Sequence, residues 1–310
     1  MTDTRQRLER IAHARSVVRD FFAQRGVLEV TAPVAGARAV TDPQLESISF
    51  QVMNQARYLQ TSPEFALKRL LAMGSGDIYS LGTVFRDDEQ GRWHSPEFTM
   101  LEWYRLGFDH HDLMDEVESL VRSVWPLAPS LKRFSHRELF LRYLAIDSLT
   151  SSVEQLKARA QELQDCAFNE THRAFWLELL WVIGIEPALK QEACFVYDFP
   201  VEQAALARIG RRDSAWVAHR FELVINGVEL ANGFWELTDA DEQARRFEAD
   251  NRFREQAGRG AIVPDERLLS ALRQGLPDCA GVALGFDRLV ALSAGYQQIA
   301  DAFALSWDQA

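Results

Sequence analysis

Residues 85–104, FRDDEQGRWHSPEFTMLEWY, follow the run YSLGTVF and constrain the fold of this chain more than any other stretch. Both YSLGTVF and EFTMLEWY have the apolar and aromatic content of buried strands, and EQG between them is a turn signal. Alternate side chains of a strand share a face. A strand–turn–strand unit therefore places Arg86 on a common face with the polar alternates of the second strand. Arg86, Asp87 and Asp88 lie on one side of the turn, and His94, Glu97, Phe98, Glu102 and Tyr104 on the other. A guanidinium with nearby acids, an imidazole and aromatic rings suits a polyphosphate and a small cation, because planar guanidinium groups grip phosphate oxygens in pairs. An ordinary amphipathic hairpin with solvated charges shares the local pattern, so the rest of the chain has to decide.

Composition narrows the classes. At 310 residues two domains are possible, yet large mixed sheets often make one; 47% hydrophobic residues with eight Trp supply a sizeable core. No apolar run reaches membrane-span length and the N-terminus lacks a signal-peptide core, so a cytoplasmic, non-membrane protein is expected. Cys166, Cys194 and Cys279 are isolated and lack CxxC spacing. They read as structural thiols of a reducing compartment, not as zinc ligands or disulfides. Lys and Arg total 34 against 45 Asp and Glu, a net charge of −11. Nucleic-acid binders must neutralise phosphates and usually show a basic footprint, so this balance disfavours nucleic acid, tRNA included, as a partner.

Along the chain, Leu8, Ile11, Val18 and Phe22 form the stripe of an amphipathic N-terminal helix. PEFALKRLLAMG is a short helix opened by Pro63 and stopped by Gly74. Asp109 and Asp112 bracket the start of a helix running to Trp125, with Met114, Val117, Val121 and Val124 on one face. Residues 130–190 read as mostly helical, with a capped start at SLTSSVEQLKARAQELQ, and form the expected insertion. CFVYDFP, RFELVINGVEL and AGVALG are strand-like, and Asp287 begins the closing helical region. Strands in two groups with helices between them indicate α+β, not alternating βαβ units.

With four segments in order, a resemblance becomes specific. FRDDEQGRWHSPEFTMLEWY is similar to motif 2 of class II aminoacyl-tRNA synthetases in its lysyl form, FRxxExGRxHxPEFTxLEWY. ELANGFWE (229–236) resembles the lysyl segment E-x-x-N-G-F-x-E, and GVALGFDR (281–288) resembles motif 3. Upstream, GVLEVTAP with Pro33 resembles the motif 1 junction, followed by the matching TSPEFALKRL. Motif 1 begins within the first 30 residues, so the resemblance implies no anticodon-binding domain. The chain resembles, over roughly residues 10–308, the truncated paralogue family of elongation factor P–(R)-β-lysine ligases. The expected fold is one catalytic domain over 1–310, a class II synthetase-like mixed, largely antiparallel sheet flanked by helices, with the helical insertion around 130–190. Motif 1 of this class builds a two-fold interface, which implies a homodimer.

The resemblance also implies roles. Adenylation requires a carboxylate to attack the α-phosphorus of ATP, so catalysis is positioning and charge stabilisation. Arg86 would hold the α-phosphate and substrate carboxylate and Arg288 the γ-phosphate. Adenine would stack between Phe98 and Arg288, with Arg92 and His94 near the phosphates and Leu230 and Gly285 completing the ATP site. The motif's acid after Arg-x is usually Glu; here Asp88 stands there, one methylene shorter and followed by Glu89. Glu222 and Glu229 match the metal pair, which would hold Mg2+ through oxygen ligands. Their spacing crosses the turn INGV, so they could face each other on adjacent strands.

For a lysine-type substrate, Ser62, Pro63, Glu64 and Glu236 match positions near the backbone amine. Glu102 and Tyr104 match the receiver of the distant ammonium, and Asn232 and Phe234 match the wall. Ala283 stands where lysyl-tRNA synthetases carry Gly; its methyl would disfavour the usual α-amine placement and bias the site toward β-lysine, while its bland role is packing against Phe286. The implied reaction is ATP-dependent activation of (R)-β-lysine or lysine and transfer to a lysine ε-amine of elongation factor P. The alternatives are a stand-alone lysyl-adenylate-forming or tRNA-charging enzyme, and a non-enzymatic paralogue, against which the retained phosphate and metal residues argue.

Overall fold

The Pro63-to-Gly74 segment illustrates how local signals set the elements. Its helix runs Glu64–Ala72 behind Pro63, and Gly74 ends it with φ +87, a conformation only glycine takes without strain. The computed structural model describes residues 4–87, 90–165, 168 and 170–310. Asp88, Glu89 and Cys166, singled out above, lie outside the described residues.

In chain order the elements are α1 (Thr4–Ala23), β1 (Leu28–Glu29), β2 (Ala35–Gly36), β3 (Ser49–Val52), β4 (Gln55–Leu59), α2 (Glu64–Ala72), β5 (Ile78–Phe85), β6 (Glu97–Leu106) and α3 (His110–Val124). There follow β7 (Lys132–Ser135), α4 (His136–Leu144), α5 (Val153–Leu163), α6 (Arg173–Leu180), α7 (Glu186–Leu189), β8 (Ala193–Phe199), β9 (Ile209–Arg212), β10 (Ala215–Ile225) and β11 (Val228–Trp235). The chain closes with α8 (Ala240–Gln256), α9 (Glu266–Gly275), β12 (Cys279–Gly285) and α10 (Phe286–Ala294). They divide into two compact units, Met1–Ala128 with Thr238–Ala310, and Pro129–Leu237.

In the first unit β1 pairs parallel to β5, β5 antiparallel to β6, and β6 antiparallel to β12. A separate small sheet runs β2–β4–β3. One face of the main sheet is core: Phe22 of α1 stacks on Tyr79 at 4.4 Å and meets Trp103 edge-on at 5.4 Å. The Trp103 indole donates to Glu116 Oε2 at 3.0 Å, and burial pushes that carboxyl up despite Arg105 and Arg25 nearby. The α1 stripe is only partly as expected. Burial starts at Ala14 and includes Val18 and Phe22, while Ile11 is half-buried and Leu8 is 41% exposed. The start of α3 matches the reading in full, with Asp109 and Asp112 forming a reciprocal capping box.

In the second unit the order is β11–β10–β8–β7, with β9 also on β10; all pairings are antiparallel except β7 with β8. Helices α4 to α7 bury Leu139, Phe140, Leu156, Trp176, Leu177 and Leu180 against Cys194, Val196 and Val224 of the sheet. The mostly helical reading of 130–190 holds, apart from β7. Each unit thus has a mixed, largely antiparallel sheet with helices segregated beside it, the α+β class expected. No described helix is long and apolar enough to cross a membrane.

Candidate active site

Register builds the first unit's site face. Ser80, Glu102 and Ala283 are aligned across β5, β6 and β12, with Gly82–Met100–Gly285 on one side and Ile78–Tyr104–Gly281 on the other. Residues directly opposite share a face, so Phe98, Glu102 and Tyr104 project together, away from the Trp103 core. Small residues flank Glu102 on both neighbouring strands, which leaves room above it. Glu102 is only 2% exposed, and the Tyr104 hydroxyl donates to its Oε1 at 2.9 Å. A carboxylate this dry is costly unless positive charge meets it.

Arg86 lies just beyond β5, where its backbone N–H donates to the Pro96 carbonyl at 2.9 Å. Its guanidinium carbon sits 5.3 Å from the centre of the Phe98 ring, and its Nε donates to the Thr61 carbonyl. The cation is thereby parked beside an aromatic face that can take a base. Past the turn, His94 pairs with Gly91 through backbone bonds and is exposed. Arg92 donates through Nε to the Gln297 carbonyl at 2.6 Å and through Nη2 to Gln297 Oε1 at 3.1 Å.

Motif 3 is anchored from below. The Thr99 N–H donates to Asp287 Oδ2 at 2.6 Å, and burial pushes that buried carboxyl up to about 6. This fixes the first turn of α10 on β6 and aims Arg288, whose Nε donates to the Trp93 carbonyl at 3.0 Å. Gly285 makes room for that side chain: a Cβ there would lie 3.2 Å from Arg288 Cδ. On α2, Glu64 follows Ser62 and Pro63; its N–H donates to Ser62 Oγ, and its Oε1 lies 2.5 Å from Lys68 Nζ.

The second unit carries the acid pair. Glu222 of β10 is opposite Asn232, and Glu229 of β11 is opposite Val224, with an irregular register between Leu223 and Val224. The two acids therefore sit diagonally, not face to face as their spacing suggested. The irregularity still brings them together: Asn232 Nδ2 donates to Glu222 Oε1 and to Glu229 Oε1, each at 3.4 Å. Arg220, opposite Phe234, donates to Glu222 Oε1, to Asn232 Oδ1 at 3.2 Å and to the Gln203 carbonyl at 2.9 Å. Burial first, then the negative charges of Glu229 and Glu178, push Glu222 up to about 7 against the pull of Arg220. Two carboxylates that share an amide donor, Glu222 half-buried and Glu229 exposed, offer oxygen ligands of the kind a hard cation takes. Leu230 is buried within β11, and Glu236, 1% exposed, follows that strand and bridges to Ala207.

The whole chain carries the signature behind this geometry. The model of tRNA synthetases class II (D, K and N) matches residues 2–309. The chain is 48% identical over 298 residues to the elongation factor P–(R)-β-lysine ligase of Photorhabdus laumondii, covering 93% of this chain and 91% of that one. The chain belongs to this ligase family. Similar matches are the ligases so named from Vibrio atlanticus, 45% identical over 310 residues (97% and 95% of the two chains), and from Vibrio cholerae, 48% over 291 residues (91% and 89%).

Within each unit of this member of the elongation factor P–(R)-β-lysine ligase family, motif residues come together. Arg86, Phe98, Glu102, Tyr104, Gly285 and Ala283 meet on the β5–β6–β12 face or at its end, while Glu222, Glu229 and Asn232 meet on β10–β11. Arg92 and His94 sit on the turn, with Arg92 engaged by Gln297. Sequence reading missed Arg220, Asp287 as an anchor, and Lys68. A basic residue two positions before Glu222 was the available signal for Arg220; nothing local marks Lys68 as buried.

Proposed function

We propose that this chain activates a lysine-type amino acid, (R)-β-lysine foremost, as its adenylate and transfers it to the ε-amine of a lysine on elongation factor P. The observation that carries the reading is the Ser80–Glu102–Ala283 row: a dry carboxylate, braced by Tyr104 and flanked by small side chains, suited to the distant ammonium of a lysine-type substrate. The family match supports the ligase chemistry, and the relatives named above are named for this acceptor.

In the first unit, Phe98 stacks the adenine and Arg86 beside it holds the α-phosphate with the attacking carboxylate. Arg288 holds the γ-phosphate, and Arg92 and His94 follow the phosphates from the turn. Glu64, with Ser62 and Pro63 shaping its turn, receives the backbone-side amine, and Glu236 of the second unit matches a motif position of the same kind. Asn232 and Phe234 form wall, and Leu230 lies beside the nucleotide. Attack by the carboxylate oxygen forms the bond to the α-phosphorus as pyrophosphate leaves. The acceptor amine then attacks the acyl carbon and AMP leaves, so no enzyme nucleophile is needed. Mg2+ suits the Glu222–Glu229 pair, where it would neutralise phosphate charge.

Three further readings belong here. The chain forms one catalytic domain whose helical segment at 130–190 is a family insertion. It forms a homodimer through its motif 1 region, where Leu28 and Val34 are 58% and 42% exposed. It works in the cytoplasm, a reducing setting that suits the buried Cys194 thiol, pushed up to about 11 by burial.

The test is a mass-shift assay with ATP, Mg2+, each lysine isomer and either elongation factor P or tRNA. Modification of the protein by one β-lysine mass supports the reading. Radiolabel passing to tRNA instead would overturn it.

A further inference from the structure

Lysine is among the side chains least often fully buried, yet Lys68 on α2 is 2% exposed. Its neighbours on the helix's buried side are Leu67 and Leu71. Its Nζ reaches back one turn to Glu64 Oε1, at 2.5 Å. Stability alone gives no reason for this arrangement, because a buried ion pair holds a fold no better than apolar side chains of similar volume. A Met at 68 would extend the Leu67–Leu71 surface at no electrostatic cost.

A binding role gives the reason. A carboxylate that receives an ammonium has to hold one rotamer, and an i,i+4 contact along a helix supplies that. The contact uses Oε1 and leaves Oε2 outside the pair. The Ser62 hydroxyl, accepting from the Glu64 N–H at 3.3 Å, fixes the backbone from the other side. The amines of α- and β-lysine differ by one carbon in their distance from the carboxylate, so a carboxylate held in one orientation can tell them apart.

We propose that Lys68 is a positioning residue that orients Glu64 toward the backbone-side amine of the lysine-type substrate. This rests on the reading of Glu64 given under the proposed function. The test is lysine-dependent ATP–pyrophosphate exchange with wild type, Lys68→Met, Lys68→Arg, Glu64→Gln and the Glu64→Gln/Lys68→Met pair. Lys68→Met raises the amino-acid KM roughly tenfold while the ATP KM stays within about twofold, and Lys68→Arg recovers most of the loss. Glu64→Gln raises the same KM, and adding Lys68→Met to it changes nothing further, because the two act as one unit. If Lys68→Met does not fold, Lys68→Gln, which removes the charge and falls one atom short of the lysine's reach to Oε1, carries the same comparison. Equal changes in both KM values, or effects of the two substitutions that multiply, would overturn the role. A wild-type enzyme that exchanges with no lysine isomer would remove the reading of Glu64 itself, a separate failure seen before any variant is compared.

Discussion

Ala283 of β12 lies directly across from Glu102 of β6, so its methyl stands beside the carboxylate on the site face. Directly opposed side chains on neighbouring strands have Cβ atoms about 5 Å apart. A methyl at that range occupies volume that a glycine would leave to the substrate. In the proposed site it acts on where the amino acid lies, while Glu102 and Tyr104 act on its far end.

Ala283→Gly is expected to relax the choice between lysine isomers. The preference ratio of β- over α-lysine in pyrophosphate exchange should fall about 5- to 150-fold, the effect of roughly 1–3 kcal/mol of steric discrimination. An unchanged ratio, with both rates scaled alike, would reduce Ala283 to packing.

Gly285→Ala tests the coupling between the strand and Arg288, the proposed γ-phosphate ligand. The new Cβ would meet Arg288 Cδ at 3.2 Å, so the side chain must give by a few tenths of an ångström. Small displacements of a positioning group are expensive in rate. The ATP KM should rise by roughly tenfold with the amino-acid KM little changed. Wild-type ATP kinetics in this variant would mean that Arg288 tolerates the shift or holds no phosphate.

Glu222→Gln keeps the shape of the acid pair and removes one of its charges. Glu222 accepts from Arg220 and Asn232 and is held up near 7 by burial and by Glu229, so a cation gains by neutralising the pair. Half-saturation by Mg2+ should move to concentrations roughly tenfold higher, a change of about 1.4 kcal/mol. Mg2+ titration of exchange activity at saturating ATP reads this directly; an unmoved midpoint would assign the cation elsewhere.

The elements were legible wherever they obey local rules. The β5–β6 hairpin, the Asp109 capping box and the Pro63–Gly74 helix follow from periodicity, turn residues and caps, and each stands where the sequence put it. The diagonal placement of Glu222 and Glu229 did not, because an irregular register breaks the alternation on which strand arguments rest. The β3–β4 turn was also hidden: Met53 and Asn54 adopt φ 52 and 58, and while Asn tolerates that region, Met gives no such signal. Burial of charge is tertiary and has no local mark. Arg254 meets Glu46 from 208 residues away, and Lys68 reads in sequence as an ordinary helical lysine. Motif resemblance named the candidate site residues; it could not name the groups that hold them.

The helical layer of the second unit carries a pH dependence of its own. His136 is fully buried between Phe140, 4.5 Å away, and Trp181, 5.3 Å away, and its Nδ1 lies 2.9 Å from Ser148 Oγ. Burial, with the charges of Arg220 and Arg173, pushes it down to about 3 from its ordinary 6.5. Between those pH values the unfolded chain binds the proton and the folded one does not. Stability from this group is therefore complete above about 6.5 and is lost as pH falls toward 3. At pH 5 the loss amounts to about 2 kcal/mol, at roughly 1.4 kcal/mol per pKa unit. His136→Phe keeps the ring stack, removes the titration and leaves the Ser148 hydroxyl without this partner, a pH-independent cost of about 1–3 kcal/mol. Urea unfolding at pH 7.5, 6 and 5 should show the variant weaker at the top of the range and the gap narrowing by about 2 kcal/mol at the bottom. A gap constant with pH would mean that His136 is protonated in the folded protein or stays solvated there.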